Sequence, residues 1–323
     1  MISGTFIDEI THDIPYQNWG PDEWARDFAA MRSVGIDTVI IIRAGYKDRA
    51  TFQSKVLQKL HPHLLVQDDL VGLYLTLAEE HGMTLFFGTY DSGHYWHSGQ
   101  YEKEADINKA FADEVMERYG HMKALGGWYL CHETDAFNDG LMKVYESLAS
   151  HLRSLKDMPI LISPYIRGVK QFAEKAITLD DHEREWDQVF ARISGMVDIV
   201  AFQDGNVDYP YLAQYLQTNA RLAHKHGLRC WSNVESFDRD MPINFPPIGW
   251  PKLRYKIDAA MSTNVEKLIT FEFSHFMSPN ATVWPSARML FERYREQYIL
   301  SGNGRVALDG RSHSLAAQEA SVK

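Results

Sequence analysis

The chain has 323 residues, of which 45% are hydrophobic and 24% charged, and a formal net charge of -10. These values supply a large core and exclude a chain disordered throughout. The acidic balance speaks against a nucleic-acid partner, which needs a basic face to displace phosphate counterions, and no apolar run approaches the roughly 20 residues that span a bilayer, so no membrane partner is expected.

The N-terminal residues enter a strand-like run, Ile2-Ser3-Gly4-Thr5-Phe6-Ile7, without the basic and apolar segments of a signal peptide. Cys131 and Cys230 lie on well-separated runs with no metal-ligand spacing. Two free thiols in a reducing, cytoplasmic setting follow from that.

Eight short apolar or β-branched runs occupy residues 2-7, 36-43, 83-90, 127-133, 159-164, 197-203, 228-235 and 266-273. The intervals between them hold a helix and two loops each. Pro21-Asp22-Glu23 opens the first helix, with Trp24, Phe28 and Met31 at helical spacing behind it. Val34-Gly35-Ile36, His81-Gly82-Met83 and His226-Gly227-Leu228 each place glycine between a helical pattern and the next strand. His81, His224 and His226 are read as helix-terminal or solvated residues rather than metal ligands.

This repetition predicts an α/β fold, a single closed (β/α)8 TIM barrel over residues 1-300, because right-handed crossovers then leave no sheet edge. An open doubly wound sheet is disfavoured, since no glycine-rich phosphate fingerprint follows the first strand. Residues 301-323 lack an apolar period and are expected to be a disordered tail.

Barrel chemistry sits at the carboxyl ends of the strands. The residues expected there are Asp8, Arg43, Tyr90 with Asp91, Glu133, Tyr165, Gln203 with Asp204, Glu235 and Glu272. Two stretches dominate: Gly126-Gly127-Trp128-Tyr129-Leu130-Cys131-His132-Glu133 and Leu228-Arg229-Cys230-Trp231-Ser232-Asn233-Val234-Glu235. Strand alternation puts Tyr129, Cys131 and Glu133 on one side, and Trp231, Asn233 and Glu235 on one side. Glu133 and Glu235 are the expected catalytic pair, because glycosidic hydrolysis needs one carboxyl to protonate the leaving oxygen and another to attack the anomeric carbon or activate water.

For that division of labour, burial and the charge of Glu235 are expected to keep Glu133 protonated. Substrate contacts are expected from Arg43, Tyr90, Trp96, His132, Tyr165, Gln203, Asp204, Asn233, Glu272 and His275. Trp96 belongs to Tyr90-Asp91-Ser92-Gly93-His94-Tyr95-Trp96-His97, whose rings suit either sugar stacking or packing of the loop. Asp204 serves either the Asp-Gly turn or the ligand, and Arg43 either neutralises carboxylates or binds an acidic group. The two-carboxylate scheme needs no metal or cofactor and takes a carbohydrate or small glycoside as partner; oligomeric state has no readable pattern.

Two other functions fit the same strand ends. Glu133, Asp204, Glu235 and Glu272 or His275 could form an oxygen-rich metal site of a sugar isomerase or epimerase. A barrel that binds carbohydrate without turnover is the third.

Ser3-Gly4-Thr5-Phe6, Gly127-Trp128-Tyr129-Leu130 before Glu133, Val197-Asp198-Ile199-Val200 before Gln203-Asp204-Gly205, and Asn233-Val234-Glu235-Ser236-Phe237 together resemble a family of bacterial TIM-barrel proteins of unknown function, described as glycoside hydrolases without a characterised activity. The likeness covers residues 1 to about 299. In a wider resemblance, to clan A retaining glycoside hydrolases, the acid/base glutamate ends strand four and the nucleophile ends strand seven, which implies those roles for Glu133 and Glu235. Where that clan usually has an asparagine before the acid/base, this chain has His132.

Overall fold

The computed structural model describes residues 1-11, 14-239 and 245-301. The expected tail beyond Ser301 lies outside the described residues. Seven predicted runs contain a barrel strand, and the run 127-133 overlaps one that starts and ends earlier: β1 (Ile2–Ile7), β2 (Thr38–Ile41), β3 (Thr84–Gly88), β4 (Leu125–Tyr129), β5 (Ile160–Ile162), β6 (Ile199–Gln203), β7 (Arg229–Asn233) and β8 (Lys267–Thr270). Each pairs in parallel with its sequence neighbours, and β8 closes on β1.

Among the described residues, eight long helices alternate with the strands: α1 (Pro21–Ser33), α2 (Leu70–Glu80), α3 (Tyr101–Tyr119), α4 (Asp139–Leu155), α5 (Leu179–Ile193), α6 (Tyr209–Lys225), α7 (Trp250–Met261) and α8 (Pro285–Arg295). In α1 the Gly20 N–H donates to Glu23 at 3.1 Å, Pro21 takes a first-turn position that needs no N–H partner, and Trp24, Phe28 and Met31 face inward. Gly35, Gly82 and Gly227 have φ of 90°, 62° and 78°, a conformation that costs other residues energy and that ends each helix before the next strand. His81 and His226 stand at the C-caps of α2 and α6, and His226 and His224 pair with Asp187 and Glu266.

Strand alternation divides the core into two layers. Phe6, Ile40, Phe86, Tyr129, Leu161, Ile199, Ala201, Trp231 and Ile269 fill the barrel interior. The intervening positions, among them Val39, Phe87, Trp128, Val200 and Phe202, meet Trp24, Trp186 and the other apolar faces of the helices. Each large apolar side chain buried in this way contributes about 1.5–3 kcal/mol relative to exposure.

The long segment after β2 is ordered. It forms a short helix, Lys55–Leu60, and contributes Gly45–Tyr46, Arg49–Ala50 and Leu65–Val66 to a small sheet completed by Tyr90–Asp91 from the loop after β3. The loops after β2 and β3 are thereby joined at the mouth of the barrel. Among the described residues, no helix is long and apolar enough to cross a membrane.

His182 in α5 is buried, with Nε2 2.6 Å from Asn219 Oδ1, and burial lowers its pKa to about 4. The unfolded chain takes up this proton near pH 6.5 and the folded chain only near 4, so the neutral histidine's contribution is present above 6.5 and lost as pH falls towards 4. Urea unfolding of the wild type and His182→Gln at pH 7 and pH 4 should show the stability difference between them shrinking at the lower pH, by up to about 3 kcal/mol. An unchanged difference would show that the two states bind this proton equally.

Candidate active site

A cavity of about 320 Å³ opens at the carboxyl ends of the strands. Its polar wall carries Arg43, Glu133, Ser163, Tyr165, Gln171, Gln203, Asn233, Glu235 and Arg239. The lining also includes the apolar side chains of Phe6, Ile42, Phe237, Phe245 and Phe271. Six of the residues expected at the site from sequence therefore share one cavity: Glu133, Glu235, Arg43, Tyr165, Gln203 and Asn233.

Most of these positions follow from alternation carried past the ends of the strands. Tyr129, Cys131 and Glu133 continue one inward row, Leu161, Ser163 and Tyr165 a second, Ile199, Ala201 and Gln203 a third, and Trp231, Asn233 and Glu235 a fourth. Both cysteines are buried free thiols, and Cys131 lies in the first of these rows, its Sγ 3.2 Å from Thr89 Oγ1.

The remaining expected contacts lie behind the wall, each for a visible reason. His132, Asp204 and Glu272 each follow an inward residue by one position and so point the other way. His132 Nε2 lies 2.9 Å from Glu104 Oε1, Asp204 Oδ1 lies 2.6 Å from Lys256 Nζ, and Glu272 caps Phe273–Phe276 by accepting from the N–H groups of Ser274 and His275. His275 closes on Glu272 through Nδ1 and lies 2.7 Å from the Pro15 carbonyl through Nε2. Burial opposes its charge, but Glu272 outweighs burial and lifts the His275 pKa to about 9.

Tyr90 leaves the barrel with the small sheet, and its hydroxyl donates to the Lys47 carbonyl at 3.1 Å. Trp96 packs against the core, its ring 5.5 Å from that of His132, and its indole N–H donates to Asp91 at 2.8 Å. The aromatic loop is thus packing and support. The isomerase set is not brought together either, since Asp204 is committed to Lys256 and Glu272 to His275. Among the described residues, no group of three His, Cys, Asp or Glu side chains is arranged to hold a metal ion.

The two glutamates stand in different surroundings. Glu133 is a quarter exposed and lies 3.7 Å from Arg43, whose Nε donates to Asp91 at 3.2 Å. Burial works against the Arg43 charge, and Glu133 and Asp91 more than restore it. Asp91 in turn is held below the ordinary carboxylate range: burial opposes its charge, and His132, Arg43, the Trp96 indole and the Gly93 N–H overcome it. Arg43 therefore bridges two carboxylates while lining the cavity.

Glu235 is buried and accepts a two-pronged contact from Arg239, Nε to Oε2 at 2.8 Å and Nη2 to Oε1 at 2.7 Å. Burial opposes the Arg239 charge, and Glu235, Glu133 and Asp204 together outweigh it. The Arg239 guanidinium also lies 4.9 Å from the Phe237 ring centre and 5.8 Å from that of Phe245. This corrects the expected electrostatics: the charge of Glu235 is taken up by Arg239, and Glu133 faces a cation rather than an apolar shell.

Arg239 is a cavity residue that was not expected from the sequence. It lies four residues beyond Glu235, in a loop where no strand or helix period reports side-chain direction. A second omission is steric. A Cβ on Gly205 would overlap Glu235 Oε2 and crowd Arg239 Nε, so the turn after β6 makes room for the ion pair.

The profile of a family described as "Domain of unknown function (DUF4434)" matches residues 2-283. The chain belongs to this family. A solved structure from Bacteroides thetaiotaomicron VPI-5482, described as "a putative alpha-L-fucosidase", is 46% identical over 91% of this chain and 92% of that one, with a TM-score of 0.88. The endo-1,4-beta-D-mannanase of Thermotoga petrophila RKU-1 is 11% identical over 84% and 87% of the two chains, with a TM-score of 0.56. The beta-D-glucuronidase of Dictyoglomus thermophilum is 14% identical over 92% of this chain and 50% of that one, with a TM-score of 0.55. The last two likenesses show the shared barrel. No curated protein sequence matches the chain.

Removing Arg239 would leave Glu235 a buried carboxylate without its cation. Arg239→Met is expected to lose about 3 kcal/mol of unfolding free energy at pH 7, and Arg239→Met/Glu235→Gln to recover most of it. Urea denaturation of both variants measures this, and a single variant as stable as the wild type would show the pair to be dispensable to the fold.

Proposed function

We propose that the protein is a retaining glycoside hydrolase with Glu235 as nucleophile and Glu133 as general acid and base. The observation that carries this reading is that two carboxylates from the segments following β4 and β7, in unlike electrostatic settings, line one cavity together with polar and aromatic side chains. The description of the 46% identical Bacteroides protein as "a putative alpha-L-fucosidase" supports the same reaction class.

In the first step the Glu235 carboxylate attacks the anomeric carbon as Glu133 delivers its proton to the glycosidic oxygen, and the sugar–oxygen bond breaks. Arg239 holds the Glu235 carboxylate in place through its two-pronged contact. Arg43 stabilises the Glu133 carboxylate that remains after proton delivery. In the second step Glu133 takes a proton from water as the water oxygen attacks the anomeric carbon, and Glu235 leaves. Gln203, Asn233, Gln171 and Tyr165 offer hydrogen bonds to hydroxyls, and Phe6, Phe237, Phe245 and Phe271 face the C–H surface of the ring.

A panel of para-nitrophenyl glycosides that includes the alpha-L-fucoside tests the reaction, and NMR of the first-formed product tests its stereochemistry. The product should keep the anomeric configuration of the substrate. Glu235→Ala should lose activity by about 10³-fold or more, and azide should restore turnover by attacking the anomeric carbon in place of the carboxylate, releasing a glycosyl azide of inverted configuration. Wild-type turnover in Glu235→Ala would falsify the mechanism.

A separate expectation concerns space rather than charge. Gly205→Ala should displace the Glu235 carboxylate and lower kcat by about 10²-fold, with a Tm within a few degrees of the wild type. Unchanged kcat would mean that the Glu235 pose is not needed.

A further inference from the structure

Beyond Asn233, the β7 segment keeps its partner on one side and loses it on the other. Towards β8 the ladder continues, with the Val234 N–H donating to the Ile269 carbonyl at 2.8 Å and the Ser236 N–H to the Phe271 carbonyl at 3.0 Å. Towards β6 the strand pairing ends at Gln203 with Asn233, followed by one last backbone bond from the Asp204 N–H to the Asn233 carbonyl at 3.2 Å. The chain then turns away through Gly205. The N–H and carbonyl of Glu235 face that gap, and buried backbone groups there need partners.

A single ion pair supplies both. The Glu235 N–H donates to Asp204 Oδ1 at 3.0 Å, and Lys256 Nζ from α7 donates to the Glu235 carbonyl at 2.9 Å while lying 2.6 Å from Asp204 Oδ1. Both side chains are buried and neither lines the cavity. A buried pair of this kind adds little stability over apolar residues of similar volume. Its directional contacts fix the peptide from which the Glu235 side chain departs.

We infer that Asp204 and Lys256 are a positioning pair, which stands in for the missing β6 ladder and sets the direction in which the Glu235 carboxylate enters the cavity. This rests on the proposed role of Glu235. The pair touches only the backbone of that residue, so its effect falls on turnover rather than on substrate affinity.

The test compares the wild type, Asp204→Leu/Lys256→Met and Glu235→Ala on the para-nitrophenyl glycoside most readily cleaved in the panel, with Tm measured alongside kcat and KM. The double variant removes both charges together and leaves no unpaired buried ion. The expected result is a Tm close to the wild type, kcat reduced at least thirtyfold and KM changed less than threefold. Wild-type kcat in the double variant, with Glu235→Ala inactive, overturns the positioning role and leaves the mechanism standing. Wild-type kcat in Glu235→Ala overturns both.

Should the double variant not fold, Lys256→Arg keeps the buried charge while displacing its contact with the Glu235 carbonyl. A kcat reduced threefold or more at unaltered Tm then supports the inference, and wild-type kcat overturns it.

Discussion

The twofold alternation of a parallel strand decides which residues following β4 to β8 reach the cavity at this barrel mouth. From β4 to β8 a residue in phase with the interior row reaches the cavity and its neighbour reaches the layer between barrel and helices, whereas after β2 both the inward Ile42 and the following Arg43 line the cavity. Glu133 and Glu235 are in phase. His132, Asp204 and Glu272, although as polar and as close to a strand end, are out of phase and serve as buried supports. One position in the chain separates a group that lines the cavity from one buried behind it.

That division gives the site two layers with different electrostatics. The inner layer pairs each glutamate with its own arginine, Glu133 with Arg43 and Glu235 with Arg239. Behind Arg43 stands Asp91, fixed by Trp96 and Gly93, and behind the Glu235 backbone stand Asp204 and Lys256. The resulting cavity carries charges of both signs in contact, and the charge of Glu133 is felt by Arg239 as well as by Arg43. Compensation within each pair also limits the field that a neutral ligand meets on entering.

The barrel was legible because its signals repeat: eight apolar runs, helical patterns between them, and glycines at the recurrent helix ends. The strand-end carboxylates were legible wherever the alternation was followed, as for Tyr129, Cys131 and Glu133. Extending the same count to β5 and β8 would have found Ser163 and Phe271 and set Glu272 aside. Tyr90 and Trp96 were beyond that count, since the chain leaves the barrel after Gly88 and pairs with Gly45–Tyr46, a tertiary contact with no local sequence mark. Arg239 was hidden for a related reason: it follows a strand end in a loop, where charge alone does not tell an exposed cation from a buried partner.

Gly205 differs from the helix-ending glycines in the kind of demand it meets. Gly35, Gly82 and Gly227 answer to backbone conformation, with φ of 90°, 62° and 78°. Gly205 has no left-handed φ, so its backbone would accept any residue, and only the volume occupied by Glu235 and Arg239 excludes a side chain. The glutamate and the glycine are therefore a linked pair of sequence characters drawn from different strands. Among relatives that keep this barrel, a larger residue at the position of Gly205 marks a chain in which a glutamate at the position of Glu235 must sit in another pose. The identity of one unremarkable turn residue thus sorts homologues that retain this carboxylate geometry from those that retain only the scaffold.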